Sequence, residues 1–213
     1  MKGRPEVATI VLAILFGLLS AAGCASKSTQ ASVSPTQAAT AKPTPVKDGP
    51  RVAVQHGFDA DASKVNPAPQ QISVEELLAM RDRTGGKIDL ANYKERRVAP
   101  FETTTFEVTG SIKSIKHEKD GDFYMVLKGK SGAEAVVEVP DPALCKGSPL
   151  LPQITTAREM LEKHYHPTEK PQALDEEITV DGVGFLGSRR KRGSGSFGTS
   201  LRLMPGTGVK FGG

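Results

Sequence analysis

The chain has 213 residues, a formal net charge of +4, a hydrophobic fraction of 38% and no tryptophan. Lys2, Arg4 and Glu6 carry a net +1 of that charge, leaving about +3 for the rest, which does not by itself mark a nucleic-acid binder. The two cysteines, Cys24 and Cys145, exclude a disulfide framework or a paired-cysteine metal motif. Few aromatics imply a modest aliphatic core, and glycines clustered toward the C-terminus suit a small barrel with tight corners.

In chain order, a short basic start (Lys2, Arg4) precedes the apolar run "VATIVLAILFGLL" and the small residues "SAAGC", which end at Cys24. That is the layout of a secretory signal, with an apolar stretch too short to span a bilayer comfortably. Ser20-Ala21-Ala22-Gly23-Cys24 resembles the bacterial lipobox, although Ala21 departs from the commoner leucine. The resemblance implies a signal peptide over 1–23, with Cys24 acylated by palmitate-like chains and serving as the new N-terminus. Each buried methylene of those chains contributes about 0.8 kcal/mol of membrane affinity. Ala25, standing where an aspartate would signal inner-membrane retention, resembles the outer-membrane class of Gram-negative lipoproteins. The expected location is therefore the bacterial cell envelope: the outer membrane in a Gram-negative cell, otherwise the outer face of the cell membrane.

Residues 24–71 read as a disordered tether. "ASKSTQASVSPTQAATAKPTPVKDGP" lacks large apolar side chains and is stiffened by proline. Within it "RVAVQHGF" is expected to be a loop. Residues 72–100 read as a short helix and a charged connector: Ser73-Val74-Glu75-Glu76 is a capping box, and Gly85-Gly86 stop the helix.

From Phe101 the period becomes two. In "FETTTFEVTGSIKSIKHE", Phe106, Val108 and Ile112 share one parity and Ile115 the other, so a bulge or bend is expected inside one long strand. "KDGD" at Lys119–Asp122 turns the chain. Phe123, Met125 and Leu127 then alternate with Tyr124, Val126 and Lys128, and "AEAVVEV" makes a third strand. A second capping box, Thr156-Ala157-Arg158-Glu159, opens a helix with Ala157, Met160, Leu161, His164 and Tyr165 on one face, ended by Pro167. "EEITVDGVGFLG" is the fourth strand, and "SLRLMPGTGVKF" the fifth, broken at Pro205-Gly206. Three strands, a helix and two strands, with a long bent first strand, is the order of an OB-fold. The fold expected for 101–213 is thus mainly β: a five-stranded OB-like barrel with one helix between strands three and four.

"VTGSIKSIKHEKDGDFYMVLKGKSGAEAVVEVPDP", "TAREMLEK" and "ITVDGVGFLG" resemble a set of uncharacterised bacterial exported proteins with an OB-like domain. That resemblance implies the barrel and no particular activity.

Asp120-Gly121-Asp122 is the one nuclease-like feature, similar to the thermonuclease turn. The strand after it carries no arginine, and Asp-Gly is ordinary turn chemistry. His164 and His166, two apart on a helix, diverge and cannot easily chelate one ion. Cys145 reads as a buried filler. Arg189, Arg190, Lys191 and Arg192, between strands four and five, border the usual ligand face of an OB barrel, and Lys113, Lys116 and Lys119 approach from the other side. With Tyr124 as a stacking platform, they would form a basic rim for a polyanion. The expectation is a lipid-anchored, non-catalytic binding domain without cofactor or metal, its partners the membrane and either an anionic polymer or an envelope protein. A secreted nuclease and a structural assembly component are the alternatives. A signal that sends the chain out of the cytoplasm rules out a nuclear address or intracellular nucleic acid.

Overall fold

The computed structural model describes residues 51–83, 88–188 and 199–212. Period-two alternation gives the barrel its strands. β2 (Thr104–His117) buries Phe106, Val108, Ile112 and Ile115, and its register with β3 (Phe123–Lys128) shifts between Ile112 and Ser114. That bulge is the expected parity flip, and it lets one strand serve both halves of the barrel. Ser111–His117 pair with β3, while Thr105–Ser111 pair with β5 (Glu177–Ser188). β4 (Glu134–Val139) pairs antiparallel with β3 and touches β6 (Thr199–Phe211) in parallel at Val137 and Leu203. β5 and β6 pair antiparallel, so the ring β2–β3–β4–β6–β5 closes on itself. This is the five-stranded OB-like barrel that the element order implied. β6 runs unbroken through Pro205-Gly206; the irregularity there is a register shift against β5 near Gly182 and Gly184.

A sixth strand was not expected. β1 (Asn66–Ser73) lies parallel to β2 along Thr104–Thr109, on the edge that β3 leaves free. Pro67 and Pro69 in β1 carry no amide donor, as suits an edge strand.

The chain then enters α2 (Val74–Arg83) through the expected capping box. The Glu76 amide donates to Ser73 Oγ at 3.1 Å, and the Ser73 amide to Glu76 Oε2 at 2.8 Å. Val74 and Leu77 enter the barrel core, and Glu75 accepts from the Ser131 amide and hydroxyl. The stop at Gly85-Gly86 lies outside the described residues.

α3 (Leu151–Tyr165) begins six residues earlier than the Thr156 box places it. Pro152 occupies its first turn, and Thr156, now interior, donates back to the Pro152 carbonyl. The buried face of α3 is Ile154, Ala157, Leu161 and Tyr165. Met160 and His164 are exposed.

The largest departure concerns the tether. Residues 51–71, expected to be disordered, are folded, and the short helix α1 (Val52–His56) stands where a loop was expected. Val54 packs with Phe185 and Met204 from β5 and β6, and Val65 packs with Cys145, Leu150, Ile154 and Val183. This strap covers side chains that point out of the barrel core. Two buried ion pairs fasten it, Arg51–Glu102 at 2.6 Å and Arg97–Asp59 at 2.8 Å.

The buried Asp61 carboxylate accepts from the more exposed Arg96 Nε at 2.6 Å and Lys64 Nζ at 2.8 Å, and from the Arg97 amide at 3.2 Å. Arg96 first, then Lys64, hold its carboxyl well below the usual carboxylate range. Glu107, beside Lys210 and Gln71, is lowered in the same direction. A depressed folded value makes the stabilisation complete above the unfolded value and lost as pH falls through the folded one. Unfolding free energy should therefore decline below about pH 4, the ordinary carboxylate range. Asp61→Asn should flatten that decline; urea melts across the acid range at fixed ionic strength measure it.

Candidate functional site

The basic run Arg189, Arg190, Lys191 and Arg192 lies outside the described residues. Its expected companions sit on the outer surface of β2 and β3. Lys116 faces Tyr124 across the ladder, its ammonium 5.3 Å from the ring centroid, and Tyr124 in turn faces Glu138 on β4. Lys116 also pairs with Glu118 at 2.8 Å, Lys113 pairs with Glu134, and Arg202 on β6 pairs with Glu138. The structure thus brings Lys116 and Tyr124 together and gives Lys113 and Lys116 each a carboxylate. Among the described residues, these pairs balance the charge of this face.

The Asp120–Asp122 hairpin is built as a turn. Gly121 has φ +100°, and a Cβ there would lie 2.9 Å from Asp141 Oδ2, so glycine is required twice over. Asp122 is 4% exposed; its Oδ1 accepts the Asp141 amide at 3.1 Å, and its Oδ2 lies 3.8 Å from His56 Nε2. The carboxylate that a nuclease would turn toward a metal instead holds β3, the end of β4 and the strap together. Among the described residues no group of three or more His, Cys, Asp or Glu could hold a metal ion.

Cys145 is fully buried, as expected. Burial, then the nearby Asp122 and Asp141 carboxylates, push its thiol up to about 12, so it stays protonated and unreactive. His164 stacks on Phe211 with centroids 4.0 Å apart and lies 3.2 Å from Glu176, packing α3 against the end of β6. His117 has the partners that the strand pattern could not show: its ring meets Phe123 edge-on, and Arg158 Nη2 lies 3.5 Å from its Nε2.

Arg158 is the residue that sequence reasoning missed. Its guanidinium carbon lies 3.7 Å from the Phe123 ring centroid, and Nη1 donates to the Val139 carbonyl at 3.3 Å. Burial lowers its pKa, opposed by Asp141, Asp122 and Glu162. Beside it runs an open groove of about 450 Å³, lined by Asp141, Pro142, Thr155, Arg158, Glu159, Glu162 and Lys163. The α3 members fall at i, i+3, i+4, i+7 and i+8, so the polar face was readable from spacing. What hid it was the helix start, and the turn of chain that brings Asp141 and Pro142 opposite.

No family model matches the chain, and no curated protein matches it. Among solved structures it is similar to a "putative aspartyl-tRNA synthetase" from Leishmania major Friedlin, at 12% identity and a TM-score of 0.37, over 70% of this chain and 22% of that one. Among the described residues no helix is long and apolar enough to cross a membrane.

Proposed function

We propose that this is a bacterial envelope lipoprotein, anchored through acylated Cys24, that displays its OB-like barrel as a non-catalytic binding module. The observation that carries the non-catalytic part is the commitment of the candidate chemical groups to structure. Asp122 is buried on the Asp141 amide, Cys145 is buried and protonated, and His164 is stacked on Phe211. A nuclease would need an accessible carboxylate, and an arginine on the strand after the hairpin; β4 reads Glu134-Ala135-Val136-Val137-Glu138-Val139. Of the two partner classes, the balanced β2–β3–β4 face favours an envelope protein, and an anionic polymer rests on the run Arg189–Arg192.

Two measurements test this. Cys24→Ser should move the protein from the membrane fraction to the soluble fraction and abolish palmitate labelling; retention in the membrane contradicts the anchor. Crosslinking in intact envelopes should capture a protein partner, whereas binding to heparin that weakens steeply with salt would select the polymer instead. Calcium-dependent DNA cleavage by the purified protein, lost in Asp122→Asn, would overturn the reading.

A further inference from the structure

We propose that the groove between α3 and the Asp141-Pro142 turn binds a short peptide with both termini free, its carboxylate on Arg158 and its amino group among Asp141, Glu159 and Glu162. The inference deepens the binding-module reading and rests on it. Five charged side chains line one groove, and among the described residues none of them forms an ion pair. The contrast with the β2–β3–β4 face is direct, because Lys113, Lys116 and Arg202 there each meet a carboxylate.

Arg158 is the anchor. Phe123 beneath it and Val139 and His117 beside it fix the guanidinium, and the nearby Asp141, Asp122 and Glu162 favour its cation without forming an ion pair with it. A planar fork held this way, half-buried and still cationic, is preorganised for a carboxylate. Glu159 and Glu162 lie on the same helical face, within a turn of Arg158, with Asp141 across the groove. Opposite charges in one cleft select a ligand that carries both, whereas a polyanion meets three carboxylates. Pro142 and the Thr155 side chain also line the groove. A volume of about 450 Å³ suits a ligand of a few residues, and three extended residues span about 10 Å.

The test is an NMR titration of the soluble chain with trialanine, its N-acetyl form and its C-terminal amide. Free trialanine should give saturable shifts at residues of the groove below about 10 mM, and each block should weaken binding by about tenfold or more. Arg158→Met should remove the penalty for blocking the carboxylate, and Glu159→Gln with Glu162→Gln the penalty for blocking the amine. The two glutamates are exposed, so that double variant should remain folded even where Arg158→Met does not. No shifts by about 10 mM, or equal affinity for all three peptides, overturns the proposal. Envelope crosslinking of the same Glu159/Glu162 variant keeps the two readings apart, since capture of a partner protein survives failure of the peptide site.

Discussion

Glu102→Gln is expected to cost about 3–5 kcal/mol of unfolding free energy, the usual loss when one half of a buried ion pair is removed. Glu102 is wholly buried and accepts four hydrogen bonds: from Arg51 Nη1 at 2.7 Å, Arg51 Nη2 at 2.6 Å, the Val98 amide at 2.6 Å and the Leu186 amide at 2.7 Å. Those donors come from the strap, the connector and β5, so one carboxylate joins three parts of the chain. A glutamine offers one acceptor oxygen and turns an amide donor toward groups that are themselves donors. Arg51 keeps its carbonyl partners Tyr93, Arg96 and Leu186 but is left as an uncompensated buried charge. Arg51→Met should cost a similar amount, and the double variant should cost less than the sum by about 1–3 kcal/mol, since both singles break the same contact. Urea denaturation of the four proteins measures the cycle. A loss below about 1 kcal/mol for Glu102→Gln would show the network to be dispensable.

The second large effect separates tether from strap. A soluble chain beginning at Asp48 should melt within about 1 °C of one beginning at Ala25, because the missing stretch has almost nothing large and apolar to bury. A chain beginning at Asn66 should be largely unfolded at 25 °C. It loses Val54 and Val65, each worth about 1.5–3 kcal/mol when fully buried. It also uncovers Phe185, Met204 and Val183, and leaves both Glu102 and Arg97 without their partners. Together these approach or exceed the net stability of about 5–15 kcal/mol typical of a domain. Circular dichroism melts of the three chains decide it; equal stability of all three would return residues 51–65 to the tether.

The strap was illegible for a physical reason. Short segments such as "RVAVQHGF" hold too few apolar side chains to show a period, and their order comes from partners 35 to 135 residues away, such as Arg51 with Leu186. Arg97 and Glu102 read as two charges in a charged connector. Nothing local distinguishes a solvated arginine from one with a fully buried side chain opposite Asp59. The capping box at Ser73 formed and its double at Thr156 did not, although the pattern is the same. Leu150 and Ile154 had a core to enter, so α3 started earlier and absorbed the second box.

By itself, the sequence determined the elements whose signals are local: the period-two strands, the parity flip at Ile112–Ile115, the Asp-Gly turn and, through their order, the closed five-stranded barrel. The proposed export and Cys24 anchor also rest on sequence alone, because the signal and lipobox patterns are read locally along the chain. Tertiary structure alone decided that residues 51–71 are folded, that β1 adds a sixth strand beside the barrel, which charges face each other across strands, and that Arg158 stands in a groove. Those outcomes depend on which surfaces meet after the barrel closes. Burial turns an ordinary arginine or glutamate into a costly group that must find a partner, and no window of sequence contains both members of the pair.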